Sequence, residues 1–316
     1  MVVDMFVVGI DENGYGPLIG PLVATAAAFE VPDYEPEKMA AALSQGTRVA
    51  DSKSFLSHSN MEKGEITTLA YLACSDQGAP DNYASLLENL LVPSPVDGPA
   101  CPKPAREMCF GGIEGLPIFS KPEDVEKAAS TLPNLLASHN IRFVGARCVM
   151  LCAGNFNILY KAISGKALLD LFLFELLITG MSTVLQSEAL YLCGKVSGMK
   201  RYSDRFVLLG AGIETKGIEA MIEEPALSEY KIQGIGTVRF VRSGDSIHPP
   251  TSLASVIGKY LRELSMSAIN GFLKRQFGIE DGISGYRDKK TKEAVARVLP
   301  GIEVVGIPRH CLLRDA

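Results

Sequence analysis

The chain has 316 residues, 47% hydrophobic and 21% charged, which excludes a wholly disordered protein and supplies a core without staples. Its 31 Lys and Arg against 36 Asp and Glu leave a net charge of −5, so a global basic field for indiscriminate polyanion binding is excluded and only a local patch is left. The 7 Cys show no CxxC, and Cys148 and Cys152 in a strand-like run read as buried small hydrophobes, so a reducing, cytoplasmic compartment is expected. The N-terminus has no basic region of an export signal. The most apolar stretch, 167–185, is interrupted by Asp170 and Glu175 and is expected to be a buried helix rather than a membrane span.

In chain order, residues 5–10 form a Val-rich apolar run and predict a buried strand. Residues 11–17, Asp-Glu-Asn-Gly-Tyr-Gly-Pro, have the composition of a turn, and 18–29 read as a second strand, so the pair predicts an antiparallel hairpin. Short helices are predicted over 35–43 and 60–73. Residues 76–120, punctuated by seven prolines and many glycines, read as an inserted loop or subdomain. A helix over 123–138, a strand over 141–152 and a long helix over 165–185, capped by Ser164, follow. Strands are predicted at 188–193, 207–209 and 237–241. The clearest helix spans 251–277, with Leu253, Val256, Ile257, Tyr260, Leu261 and Leu264 on one stripe and Lys259, Arg262 and Glu263 off it. This order predicts one α/β domain over 1–316, a mixed central sheet flanked by helices, with 278–316 as a C-terminal extension.

Asp11 and Glu12 are adjacent carboxylates before a Gly-rich turn. Successive side chains alternate across a strand, so both reach one site only where the strand ends. Taken alone, the pair reads first as a solvated turn. Asp245, in Ser243-Gly244-Asp245 between a strand and the long helix, is the next acid of interest. Carboxylates converging from separate strand ends make a hard oxygen site for Mg²⁺ or Mn²⁺, suited to phosphoryl chemistry. Lys53, in Asp51-Ser52-Lys53, has the reach for a phosphate, though this segment also reads as a helix cap. Gly14-Tyr15-Gly16 permits close backbone approach by a ligand but is neither a Walker A nor a GxGxxG motif. Lys195, Lys200 and Arg201 near Tyr202, and Lys289, Lys290 and Lys292 after Tyr286, suit a phosphate-and-stacking surface, or else solvated charged faces. The four His show no HxxH spacing, which argues against a zinc hydrolase.

Together these pieces resemble one family. Gly9-Ile10-Asp11-Glu12-Asn13-Gly14-Tyr15-Gly16-Pro17-Leu18-Ile19-Gly20-Pro21 is similar to the opening motif of the type 2 ribonucleases H (ribonuclease HII and HIII), G-[IV]-D-E-A-G-R-G-P-x-x-G-P. Asp51-Ser52-Lys53 resembles that family's D-S-K. Ser243-Gly244-Asp245 with Leu253-Ala254-Ser255-Val256-Ile257-Gly258-Lys259-Tyr260-Leu261-Arg262-Glu263 resembles its G-D … A-A-S-I-x-A-K-x-x-R-D block, and Gly285-Tyr286 its late G-Y. The four occur in the family's order. The resemblance covers about residues 5–290, with the Pro-rich stretch as an extra insertion.

The resemblance implies a ribonuclease H-like fold and cleavage of the RNA strand of RNA–DNA hybrids, or at ribonucleotides within DNA, with Mg²⁺ or Mn²⁺ held by four acids. It implies that Asp11 and Glu12 are the first two metal ligands and catalytic acids and Asp245 the fourth. Gly14, Tyr15 and Gly16 would then face the 2′-OH side of the substrate, with Lys53 and Tyr286 on backbone or sugar. Two positions depart from the pattern. Tyr15 stands where the family has Arg, which bears on 2′-hydroxyl readout. At the third acid, Leu190-Tyr191-Leu192-Cys193-Gly194-Lys195 puts Gly194, or alternatively Cys193, where the family has Asp. The expectation is a divergent metal-dependent endonuclease of reduced activity, acting as a monomer without a membrane. The alternative is a catalytically impaired nucleic-acid-binding relative. A third reading is a nucleotide-metabolising or structural α/β protein that shares the motif by chance.

Overall fold

The Val-rich run that opens the chain forms strand β1 (Met5–Asn13), and the small residues of β2 (Leu22–Val31) pair with it in antiparallel register. The computed structural model describes residues 4–44, 61–92, 110–111, 113–163, 165–196, 199–210 and 217–315. β1 runs three residues further than its apolar run. Asp11 pairs with Thr25 and Glu12 with Ala24, so both acids belong to the ladder and not to the turn expected from composition. The backbone hydrogen bonds offered by β2 outweigh local turn preference here. Ala24, Ala26, Ala27 and Ala28 are wholly buried, as a strand covered on both faces requires.

β3 (Arg142–Leu151) pairs antiparallel with the outer edge of β2. On the other side β4 (Ala189–Gly194) pairs parallel with β1. Beyond it lie β5 (Ile218–Glu223), β6 (Leu227–Ile232) and β7 (Gly236–Val241), with β7 parallel to β4 and β6 antiparallel to both β5 and β7. The seven-stranded sheet has the order β3-β2-β1-β4-β7-β6-β5. This mixed sheet flanked by helices is the α/β architecture expected from the sequence. β5 and β6 escape a reading for apolar runs because Glu219, Glu223, Glu229 and Lys231 break them up. In β6 only the alternating Ser228, Tyr230 and Ile232 face inward.

Short α1 (Pro36–Leu43), α2 (Glu62–Ala73) and α4 (Pro122–Ser138) cover one face with the long α8 (Pro249–Phe277), around Val7, Phe29, Tyr71 and Tyr260. Residues 76–120 are not wholly irregular. They contain α3 (Tyr83–Leu90), capped by Asn82, with Leu86, Leu87 and Leu90 fully buried in the same core. The opposite face is covered by α5 (Ala153–Ile163) and α6 (Lys166–Leu185), packed on Val8, Ile10, Tyr191 and Cys193. Among the described residues α6 is the one helix long and apolar enough to cross a membrane. Here it lies against the sheet, with Leu169, Leu173, Phe174 and Leu177 fully buried.

Helix α8 presses directly on the sheet. An ideal Cβ on Gly9 would stand 2.0 Å from Pro250 C and Thr251 N, so only glycine admits the first turn of α8 at that point. Thr251 Oγ1 donates to the Leu192 carbonyl at 2.8 Å, and Gly258 lies over Asn13 and Thr25. The helix thus crosses from β4 over β1 to β2. Arg262 and Glu263 are not on a solvated face: both are buried, and Arg262 Nη1 meets Glu263 Oε1 at 2.6 Å. Residues 207–209 form no strand. Their three N–H groups converge on the buried Glu175 carboxylate of α6, an arrangement that local periodicity does not encode.

The C-terminal segment turns back onto the opening motif. After α9 (Lys289–Val298) and α10 (Arg309–Leu312), buried Arg314 donates to the carbonyls of Gly14 and Gly20. Its backbone N–H reaches Leu18 O at 3.0 Å.

Candidate active site

β1, β4 and β7 are adjacent and run in the same direction, so their C-terminal ends share one edge of the sheet. Open α/β sheets place ligands at this edge. Asp11 and Glu12 lie at that end of β1 and Gly194 at that end of β4. An ideal Cβ on Gly194 would stand 2.9 Å from Asp11 Oδ1 and 3.7 Å from Glu12 Oε2. Although Asp11 and Glu12 start on opposite faces, the strand ends one residue later and both carboxylates reach the same point. Cys193 faces the other way, into the core under α6, where burial and then the Asp11 charge push its thiol pKa up.

Asp245 sits in the one-turn helix α7 (Gly244–Ile247) that follows β7. An ideal Cβ on neighbouring Gly244 would be 3.6 Å from the Cys193 carbonyl, which brings this turn to the end of β4. Asp245 is 6% exposed. Behind it, His248 precedes α8, and its Nδ1 lies 3.0 Å from Tyr34 Oη. Burial, then the Arg239 charge, lower the His248 pKa to about 4, so the ring is neutral at pH 7.

The glycine turn forms the wall beside the acids. Gly14 has φ +86°, and a Cβ there would meet Pro21 O at 2.6 Å and Arg262 Cδ at 3.1 Å. The Arg262 guanidinium lies 4.8 Å from the centre of the Tyr286 ring and donates to Ser284 O. Gly14 therefore lies beside buried Arg262, and Arg262 in turn lies against Tyr286, which is 46% exposed. Tyr15 is half-buried under Lys166 of α6, whose Nζ is 5.8 Å from the ring centre. Burial, then the Asp170 and Glu12 charges, raise its phenol pKa. Nothing lies within 4 Å of a Cβ built on Gly16, so this turn is open to a ligand. Lys53, with Asp51 and Ser52, lies outside the described residues.

The basic cluster expected at 195–202 is not a stacking surface. Tyr202 is wholly buried and stacked on Phe240 at 3.7 Å. Lys195 donates to Glu224 O and Ser228 Oγ, and Arg201 pairs with Glu223. Lys289 and Lys290 are exposed beside Glu293 and Asp281. Composition shows that basic and aromatic residues are neighbours in sequence, but not which of them the core takes.

From sequence Asp170 reads only as an interruption of an apolar helix; the structure buries it, and burial and then the Asp11 charge raise its pKa. Asp204, the next acid in sequence after β4, is exposed on a 3₁₀ turn (Ser203–Arg205).

Carboxylates at a strand end match the oxygen preference of Mg²⁺ and Mn²⁺. Two of them, Asp11 and Glu12, reach one point, and Mg²⁺ is commonly held by one or two carboxylates with waters and substrate phosphate. The donor set fits such an ion. Among the described residues, no three His, Cys, Asp or Glu side chains already stand as a metal-holding group.

No protein-family model matches the sequence, and no curated protein does. Among solved structures, the chain is similar to RNase HII from Archaeoglobus fulgidus in a complex with PCNA, at 19% identity and a TM-score of 0.44. That match covers 98% of this chain and 94% of the other. It is similar to ribonuclease H2 from Pyrococcus horikoshii OT3 at 18% identity and a TM-score of 0.45, covering 98% and 92%. It is also similar to Bst-RNase HIII in complex with Mn²⁺, at 13% identity and a TM-score of 0.46, covering 100% and 67%.

Proposed function

We propose that this chain is a divergent ribonuclease H-type phosphodiester hydrolase acting on the RNA of RNA–DNA hybrids or on ribonucleotides embedded in DNA. The observation that carries this reading is the meeting of Asp11 and Glu12 carboxylates at Gly194, at the common end of β1 and β4. The order of the four sequence motifs supports it, as does the position of Asp245 beside the same strand ends.

Asp11 and Glu12 would hold the divalent ion, and Asp245, in the turn beside the same strand ends, would be a further ligand. A bound Mg²⁺ or Mn²⁺ supplies charge for a phosphoryl oxygen and lowers the pKa of a water. The Gly14–Gly16 turn, open at Gly16, would offer backbone N–H groups to the sugar-phosphate backbone. Tyr286, backed by Arg262, offers a flat face to a sugar or base. Buried Arg314 keeps the turn in shape through the Gly14 and Gly20 carbonyls. With Tyr15 in the place of an arginine, 2′-hydroxyl recognition falls to backbone groups, so selectivity for RNA over DNA is weaker than a side-chain donor would give.

The empty third position at Gly194 favours a second reading, a relative that binds hybrid and turns it over slowly or not at all. One experiment separates the two: cleavage of an end-labelled RNA–DNA hybrid with Mg²⁺ or Mn²⁺, wild type against Asp11→Asn. Metal-dependent cutting by wild type alone supports the hydrolase. Binding of hybrid by both, with cutting by neither, replaces it with the binding protein. Neither binding nor cutting overturns both.

A further inference from the structure

Among the described residues five carboxylates are buried, Glu65, Asp170, Glu175, Asp245 and Glu263, and Glu65 and Glu175 are fully employed. Glu65 of α2 accepts from the N–H groups of Ile118, Phe119 and Ser120 and from Tyr260 Oη. Glu175 of α6 accepts from Val207, Leu208 and Leu209. Asp170, on the same helix as Glu175, is only 1% exposed, and its Oδ1 has no hydrogen-bond partner. A buried carboxyl oxygen left unpaired is costly, and native folds rarely leave one without a reason.

The place of Asp170 in the fold supplies the reason. Lys166 and Asp170 are four apart on α6 and share a helix face. Lys166 lies over the Tyr15 ring, so this face addresses the opening motif. α6 packs on β1, whose end holds Asp11 and Glu12, and on the neighbouring β2 and β4. The charges of Asp170 and Glu12 both act on Tyr15. Burial, then the Asp11 charge, push the Asp170 carboxyl pKa up to about 8. At the strand position that faces Asp11 and Glu12, Gly194 has no side chain at all.

We propose that Asp170, delivered from helix α6, supplies the third carboxylate of the divalent-cation site formed by Asp11 and Glu12, replacing the one absent at Gly194. This rests on the reading of the Asp11–Glu12 pair as a metal site. As they stand the three carboxylates do not close on one point. A divalent ion is what draws carboxylates together.

The test is Mn²⁺ binding to the full chain by isothermal titration and by loss of the free Mn²⁺ electron-paramagnetic signal, with no nucleic acid present. The set is wild type, Asp170→Asn, Asp170→Ser, Asp11→Asn, and Asp170→Asn combined with Gly194→Asp. Asn has the shape of the carboxylic acid it replaces, and Ser is a smaller polar alternative should Asn disturb packing. Thermal unfolding in EDTA reports that each variant is folded. The expected result is a tenfold or greater loss of Mn²⁺ affinity in both Asp170 variants, with recovery in the double variant. Unchanged affinity in either folded Asp170 variant, while Asp11→Asn loses binding, overturns the role of Asp170 and leaves the metal site standing. Mn²⁺ binding that is absent in wild type, or unaffected by Asp11→Asn, overturns the metal-site reading itself and this inference with it.

Discussion

Gly194 faces Asp11: a Cβ on the glycine would stand 2.9 Å from Asp11 Oδ1, closer than real Cβ contacts come. Asp11 has to shift to admit any side chain there, and the contact is with the far end of its side chain. Gly194→Asp is therefore expected to fold, to bind Mn²⁺ more tightly and to cut hybrid faster by about tenfold, worth ~1.4 kcal/mol of barrier. Gly194→Leu, with the same crowding and no charge, should remove cutting. Rates on an RNA–DNA hybrid across a Mn²⁺ titration decide it. An Asp variant no faster than wild type shows that the strand position contributes nothing.

Arg314 is 3% exposed and ties the C-terminal segment to the Gly14 and Gly20 carbonyls. Hydrogen bonds from a charged donor are worth roughly 1.5–3 kcal/mol, mostly as the penalty of leaving buried acceptors unpaired. Arg314→Ala should lower the unfolding free energy by an amount in that range, read as a lower urea midpoint with an unchanged slope, because the rest of the core is untouched. Hybrid affinity should fall with it, since the turn that approaches the backbone loses its support. A variant with the wild-type midpoint contradicts this.

Stability should fall in acid through His248. Its folded pKa, about 4, lies below the ordinary value of 6.5, so the unfolded chain takes up the proton first. The contribution is fully present above pH 6.5 and is lost as the pH falls from 6.5 towards 4. His248→Gln keeps a hydrogen-bonding group near Tyr34 and should flatten the pH dependence of unfolding in that window by close to one proton. Equal slopes for both proteins from pH 4 to 7 would falsify the assignment.

Tyr286 presents an exposed ring backed by Arg262. Stacking of an aromatic on a base or sugar is worth ~1–3 kcal/mol by alanine substitution. Tyr286→Ala should weaken hybrid binding about 5- to 150-fold with the unfolding midpoint unchanged, and Tyr286→Phe should keep most of the affinity. Fluorescence anisotropy with labelled hybrid at fixed salt measures both. Equal affinities for Ala and wild type would move the substrate path off this surface.

Local pattern accounts for much of what the chain shows. The Val-rich run of β1, the small residues of β2 and the stripe of α8 announce their elements because burial repeats at the period of the backbone, two for strands and 3.6 for helices. The acids and glycines of the opening motif stand out for the same reason: unusual residue types at the end of an apolar run. The tertiary structure decided the rest. Whether Asp11 and Glu12 lie in a turn or a strand depended on β2 pairing with them, more than ten residues away. That Gly194 faces both depended on the parallel register of β1 with β4, about 180 residues apart in the chain. The polar strands β5 and β6 owe their place to the edge of β7, Tyr202 is buried by stacking on Phe240, and Arg314 returns from the far end of the chain to Gly14. Asp170 looked like a flaw in an apolar helix, and only the packing of α6 on the sheet brings it under the influence of Asp11. Periodicity reports which face of an element is buried; which residues meet across that buried face is set by register and packing between segments that are distant in sequence.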